Sequence, residues 1–413
     1  MRSRYDWGNW ARGALAFALG ALLTSCSPGT FQIGSRTLGW GNPPTNVGTA
    51  PNSAGPIQQA PQTGGERFGR GPVQVALLLP LSGEPSLAEL GKSLANSSKL
   101  AMAFIEANPN IAENTTITLR DTGDSAAGAA AAANAAVQSG AKLILGPLKG
   151  DQVAAAGAVA RAAGVPMIGF ANNPALAGQG VYLLSVLPDA EMKRSLAYVK
   201  AQGRRGIGGA FPSTPYGDAL ATAFRQQAIA AGFAPNAVYT FTAANEAAQI
   251  VGQAKQQIDR GMIDTLFIPD RASAPAFATA LASAGVGRDA VQIVGSADWA
   301  GDQTILSTPG LAGAIFPAVD EAGFAAITGD YQSRFGTRPH PMATIAYTAT
   351  ILANVNTLSM ATPPYNPGLV TSPSGFNGRD GQFRFLSNGR AEYALVIKTI
   401  ETGAATTVEG PKL

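Results

Sequence analysis

Histidine and cysteine are almost missing from this chain, whose 413 residues contain one of each. One imidazole and one thiol cannot build a His/Cys metal cluster or a disulfide framework, and they leave little room for a His-dependent hydrolase. Charge is scarce too, at 13% of residues against 46% hydrophobic. The formal net charge is +3, yet Arg2, Arg4 and Arg12 against Asp6 place +2 of it in the first 25 residues. The remainder is close to neutral, so the high pI is not the footprint of a nucleic-acid-binding protein. No cofactor is expected, because no nucleotide-binding loop survives inspection. Gly91-Lys92-Ser93 has the tail of a phosphate-binding loop, but Ser86 stands where the required glycine belongs and the segment reads as helix. No Gly-x-Gly-x-x-Gly follows a predicted strand, and the Gly-x-Ser-x-Gly elbow of serine hydrolases is absent. His340, between two prolines, has no ligand-spaced partner and reads as a helix-start residue. Together these exclude most enzyme classes and leave binding as the expected task.

What is present begins with an address. Three arginines precede residues 14–23 (ALAFALGALL), a run shorter than the roughly 20 apolar residues that span a bilayer. It reads as a signal-peptide core. The following Leu23-Thr24-Ser25-Cys26 resembles a bacterial lipobox. That resemblance implies cleavage before Cys26 and lipidation of the new terminus; an ordinary signal peptide with an incidental cysteine is the alternative. In residues 27–72, 17 of 46 positions are Gly or Pro, above the roughly 25–30% at which aperiodic Pro/Gly-rich sequence stays disordered. The segment reads as a tether with a reach of about 35–40 Å, the alternative being an arm packed through Phe31, Trp40 or Phe68.

After Pro72 strands and helices alternate. Residues 73–79 (VQVALLL) form a nearly continuous apolar run, the pattern of a strand buried on both faces. The cycle repeats through strands at 117–119, 143–145, 166–170 and 182–185. A second set has strands at 207–211, 237–241, 265–268 and 292–294, with helices of 10–16 residues between them. Alternation of this kind predicts parallel, doubly wound sheets in two lobes, with ligands held beyond the carboxyl ends of the strands. A long helix at 341–360 and a hairpin of 382–385 with 393–397 around Ser387-Asn388-Gly389 close the chain. The predicted strand ends carry Ser82, Lys149 to Asp151, Asn172, Asn173, Tyr216, Asp270 and Asp298. Such groups suit reversible binding of a polar or zwitterionic solute, and each is equally at home in ordinary turns.

The chain resembles the type I periplasmic binding proteins of the leucine/isoleucine/valine-binding kind between residues 73 and 360. The carrying segments are VALLLPLSG at 75–83, GAKLILGPL at 140–148, GVPMIGFANNPAL at 164–176, PYGDALATAF at 215–224, GSADW at 295–299, and YQSRFGTRP followed by AYTA at 346–349. The resemblance implies an α/β fold of two Rossmann-like lobes joined by three crossovers, with a ligand cleft between them. Lobe 1 is expected over 73–185 and 312–360, lobe 2 over 186–311 and 361–398, and a tail over 399–413. Carried over by position, Ser82 and Gly83 line the cleft, and Leu148 and Lys149 stand where the family receives the ligand carboxylate, Lys149 offering a positive charge. Ala171 and Asn173 stand where the family offers a backbone carbonyl and a hydroxyl to an amino acid, Tyr216 where an aromatic covers the ligand, and Asp298 where a carboxylate meets the ammonium; Asp270 is a further candidate from its place at a strand end. The chain departs from the family after Gly146-Pro147, where Leu148-Lys149-Gly150 replaces the usual hydroxyl, and at Tyr347-Thr348-Ala349, where Tyr-Asp-Ala is usual.

With the lipobox, the resemblance implies a lipid-anchored periplasmic protein that binds an amino-acid-like solute and hands it to an ABC permease. Ser27, rather than Asp, after Cys26 points to the outer membrane. A lipoprotein with a long linker and this fold also resembles the penicillin-binding-protein activators, which implies a peptidoglycan synthase as partner instead.

Overall fold

The computed structural model describes residues 65–413 and, before them, an antiparallel pairing of Gln32–Ile33 with Arg36–Thr37. The expected leader 1–25, the lipidation site Cys26 and the rest of the tether up to residue 64 lie outside the described residues. The tether as drawn to residue 72 is too long. Arg67–Phe68 (β1) pairs antiparallel with Thr115–Asp121 (β3), Phe68 packs on the core, and Glu66 pairs with Lys99 at 2.7 Å. Glycines on both sides hide this two-residue strand in a sequence that otherwise reads as linker.

The first lobe is built on a 6-stranded sheet, in the order β1, β3, β2, β4, β5, β6. Here β2 is Val73–Leu79, β4 Leu143–Leu145, β5 Met167–Gly169 and β6 Val181–Leu183. All pairs but the first are parallel. Leu77, Leu78 and Leu79 are fully buried, as a parallel strand covered on both faces requires. Helix α1 (Pro85–Ala107) starts where the Glu84 carboxylate accepts the Ser86 and Leu87 amides, a side-chain N-cap followed by Pro at N1. On the other face, α2 (Ala126–Gln138) packs against α3 (Gly150–Ala163), brought close by small residues such as Ala132 and Ala156.

The second lobe holds a 7-stranded sheet. Five parallel strands come first: Pro235–Phe241 (β8), Ile207–Pro212 (β7), Thr265–Phe267 (β9), Gln292–Val294 (β10) and Ile315–Ala318 (β11). Leu395–Glu401 (β15) and Ala404–Lys412 (β16) follow antiparallel. Its helices are α4 (Pro188–Ala201), α5 (Pro215–Ala230), α6 (Ala247–Asp259), α7 (Ala274–Ser283) and the short α8 (Gln303–Ser307). Phe211, Phe224 and Phe267 form a chain of tilted ring contacts in its core.

The chain passes between the lobes three times: between β6 and α4, after β11, and between Tyr393 and Leu395. The expected lobe bounds need correction. Residues 315–318, expected in lobe 1, form β11 in the lobe 2 sheet, and the expected tail 399–413 supplies the end of β15 and all of β16. Residues 361–393, expected in lobe 2, pack into lobe 1, where Tyr365, Phe383, Phe385 and Tyr393 share the core of Leu77 and Leu145. Within them Gly381–Phe385 pairs with Ala391–Tyr393, so the expected hairpin forms but its second arm stops at the last crossover. The helix expected over 341–360 divides at Val355 into α10 (Ala343–Asn354) and Asn356–Ser359. The Asn354 side chain accepts the Asn114 amide at 2.8 Å there, fastening α10 to the start of β3.

Candidate functional site at the strand ends

In lobe 1, Asp121 at the end of β3 organises the neighbouring turn. Its carboxylate accepts Leu81 N at 2.8 Å, Ser82 Oγ at 2.5 Å and Gly123 N at 2.8 Å. Partial burial pushes this carboxyl up, and the bonds from Ser82, Gly123 and Leu81 outweigh that and hold it below its ordinary value. Gly83 has φ +95°, and a Cβ there would lie 2.8 Å from Asp124 Cγ, so only glycine fits. Lys149, at the N-terminus of α3, donates to Asp124 O at 2.7 Å and pairs with Asp151 at 3.5 Å. Asn173 caps the turn that follows it by accepting Ala175 N at 3.0 Å. Leu148 and Ala171 are buried, their side chains in the lobe 1 cores. Gln152 is fully buried as well, its amide donating to Gly123 O at 2.9 Å while Oε1 has no partner.

The lobe 2 strand ends gather carboxylates instead. Glu191, in the first turn of α4, is 2% exposed and accepts the Ala297 amide at 2.8 Å. Burial pushes its pKa up to about 8, against the Ala297 bond and with the help of Asp298. The Tyr216 hydroxyl, at the N-terminus of α5, interacts with Glu191, and burial and the two nearby carboxylates push it far above its usual value. Asp298 is exposed, yet desolvation by the surrounding protein raises its pKa, Arg271 opposing and Asp270 reinforcing the effect. Asp298 lies on a short turn (Ala297–Trp299) whose Trp299 is fully buried and donates Nε1 to Pro269 O at 3.1 Å. Asp270 is held differently: it accepts Ser273 N at 2.9 Å and Ser273 Oγ at 2.6 Å, which starts α7.

Of the residues expected at the site, then, Tyr216 and Asp298 come together around an unexpected third, Glu191. Ser82 and Lys149 are engaged by the end of β3 and the turn after it, Asn173 and Asp270 within their own turns, and Leu148 and Ala171 present no side chain. Glu191 carries no distinguishing sequence signal, since acids in a first helical turn are ordinary partners of the helix dipole. Beside the lobe 1 strand ends lies a groove of about 1180 Å3 whose lining includes Glu84, Lys92, Asp124, Lys149 and His340. The His340 Nδ1 accepts the Met342 amide at 3.1 Å, and burial lowers its pKa.

Comparison with known proteins places this geometry. The family model for periplasmic binding proteins matches residues 72–371. A comparison with curated protein sequences finds no match. Among solved structures, a putative branched-chain amino acid ABC transporter protein from Rhodospirillum rubrum superposes with TM-score 0.70 at 18% identity, covering 81% of this chain and 99% of that one. The isoleucine complex of the substrate-binding protein LivJ from Streptococcus pneumoniae gives 0.56 at 21%, covering 82% and 99%. The C-domain of LpoA from Haemophilus influenzae, a regulator of PBP1A, gives 0.59 at 17%, covering 81% and 99%. At these identities the likeness is one of fold.

Proposed function

The chain belongs to the periplasmic binding protein family, and from that premise we propose that it works outside the cytoplasm as a solute-binding protein for a small, amine-bearing, amino-acid-like ligand held between its lobes. The observation that carries this reading is the lobe 2 set of Asp298, Tyr216 and Glu191. Two carboxyls and a phenol, brought together from the starts of α4 and α5 and the turn after β10, would form a receptor for an ammonium group. A bound cation would favour the ionised form of Glu191, so part of the binding energy would be spent on releasing the proton that Glu191 holds near neutral pH. The lobe 1 side would contribute Ser82, Gly83, the amides at the start of α3 and Lys149. Cys26 would carry the lipid, and an ABC permease would receive the solute.

A second reading is supported by the lobe 1 side chains. Lys149, Asn173 and Ser82 are already satisfied within the protein, and Leu148 is buried where the family resemblance calls for a nearby hydroxyl. Such a half-site offers a carboxylate few free side-chain donors. In this reading the fold is a docking body, as a regulator, for a peptidoglycan synthase, reached from the outer membrane on the lipid and tether.

Calorimetry with a panel of L- and D-amino acids and short peptides separates the two. Saturable binding that is lost in Asp298→Ala supports the first reading. No heat with any member of the panel, together with stimulation of a purified synthase by the full chain, overturns it in favour of the second. Mass spectrometry of the mature terminus tests the anchor, and a terminus other than a lipidated Cys26 removes it.

A further inference from the structure

At the far end of α1 from the strand-end site, a trough runs between α1, α9 (Ala322–Phe335), α10 and the turn at Arg379. Phe104 lies about 28 Å along α1 from Pro85, at 1.5 Å per residue, so occupants of the cleft and of the trough would not meet. The trough holds about 640 Å3, and a depression of about 180 Å3 sharing Phe104, Tyr347 and Arg379 extends it. Its floor is apolar: Leu100, Ala103, Ile327 and Tyr347. Phe104 is 44% exposed on its wall, so an aromatic ring faces solvent next to the apolar floor.

Its charge is what gives the trough a direction. The Arg379 guanidinium stacks 4.8 Å from the Tyr347 ring centre, with Nη2 3.3 Å from the Tyr347 hydroxyl. The Arg379 amide donates to Thr348 Oγ1 at 2.9 Å, which fixes the turn. Arg334 on α9 is exposed and lies 6.0 Å from the Phe335 ring. Among the described residues, neither arginine has an ion-pair partner, although eleven ion pairs form elsewhere. An arginine held on an aromatic face by one outer nitrogen, with no carboxylate paired to it, is arranged in advance to receive one. Two of them beside an exposed phenylalanine and an apolar floor have the make-up of a protein-binding hot spot.

We infer that this trough docks a short acidic segment of a partner protein, with an aromatic or aliphatic side chain seated against Phe104 and carboxylates on Arg334 and Arg379. The floor follows α1 from Leu100 to Ala107, about 10 Å, which accommodates two helical turns or three to four extended residues. Asp330, also on the lining, disfavours a uniformly anionic surface such as a phospholipid headgroup layer. The inference does not depend on what the cleft binds.

The test is a peptide-display selection against the full chain, followed by affinity measurement on the enriched peptides. The expected result is a shared motif of one apolar anchor next to Asp or Glu. Affinity should fall about tenfold or more in Phe104→Ala and in Arg379→Glu, fall with added salt, and return when the peptide's acid is changed to Lys against Arg379→Glu. Arg334→Glu, at an exposed position, gives the same reading where Arg379→Glu alters the thermal midpoint. Enrichment of uncharged peptides indifferent to both arginines overturns the inference. So does a selection without enrichment. Arginine-dependent binding of phosphatidylglycerol vesicles in place of peptides, or self-association abolished by Phe104→Ala, assigns the trough to a lipid or a second copy and overturns it as well.

Discussion

Ala297 donates its backbone amide to the Glu191 carboxylate at 2.8 Å, and this bond ties the helix that follows the first crossover to the strand end that carries Asp298. Glu191 is the only group in that contact able to change charge near neutrality, with a pKa pushed up to about 8 by burial.

An acid whose folded pKa lies above its unfolded value keeps a proton that the unfolded chain has released, so stability falls as pH rises through the interval between the two. For Glu191 the interval runs from about 4.5 to about 8. Urea unfolding at pH 5, 7 and 9 should show declining stability in the parent and a flatter profile in Glu191→Gln, which retains the acceptor for Ala297. At pH 9 the variant should be more stable by about 1–3 kcal/mol. Parallel profiles would show that the carboxyl ionises without cost. Asp380, buried beside Thr344 with a pKa pushed up to about 6, contributes the same sign over a lower window, and Asp380→Asn should flatten only that part.

The parts of this fold that sequence reveals are those whose signal is local. Residues 73–79 read as a buried strand because seven nearly continuous apolar residues fit little else. Ile315–Ala318 leaves no such mark, being four residues that include Pro317, and its place in the sheet is decided by pairing with Ile397 and its neighbours some 80 positions later. Which lobe receives residues 361–393 is likewise settled by contacts of Phe383 and Phe385 with distant strands. Tyr216 and Asp298 are candidates by family position, and what sequence does not reveal is that Glu191 lies beside them. Asp270 starts α7, and the acid that starts a helix and the acid that binds a ligand occupy the same kind of turn.

Gly146 and Gly140 separate backbone strain from steric exclusion. Both have φ +80°. A Cβ at Gly146 would lie 2.2 Å from Leu78 O, a backbone atom of the central strand, whereas one at Gly140 meets nothing within 4 Å. Gly140→Ala should therefore cost only the left-handed penalty of about 1–2 kcal/mol. Gly146→Ala should cost clearly more and displace the turn that carries Lys149, visible as a larger drop in urea midpoint. Equal costs would mean that the strand yields freely.

Two ion pairs cross the hinge: Asp189 to Arg390 at 2.6 Å and Lys193 to Glu392 at 2.8 Å. Both join α4 of lobe 2 to the small sheet of lobe 1. Arg390 and Asp189 are 36% and 23% exposed, so solvent screens them and a double-mutant cycle on Asp189→Ala and Arg390→Ala should give a coupling of about 0.2–1 kcal/mol. Their larger effect should be on lobe orientation. Small-angle scattering should show a salt-sensitive radius of gyration in the parent and a weaker salt response in the double variant, which keeps Lys193–Glu392; identical salt responses would remove Asp189–Arg390 from hinge control.

Trp299 supports the site from below. It is fully buried, packs on Phe316 with ring centres 6.2 Å apart, and lies so close to Gly295 that a Cβ there would sit 2.2 Å from its ring. Its Nε1 and Ser296 Oγ both donate to Pro269 O, at 3.1 and 2.7 Å. In Trp299→Phe the carbonyl keeps the Ser296 bond and most of the apolar contact survives, so the cost should be about 1–2 kcal/mol. Trp299→Ala leaves a cavity under the turn and should cost about 3–5 kcal/mol. Because Asp298 precedes Trp299, the alanine variant should also weaken any solute that depends on Asp298, while the phenylalanine variant binds it nearly as the parent does. Unfolding curves and calorimetry on the same two proteins check both halves, and equal losses of stability in the two would show that the hydrogen bond, rather than the ring volume, holds the turn.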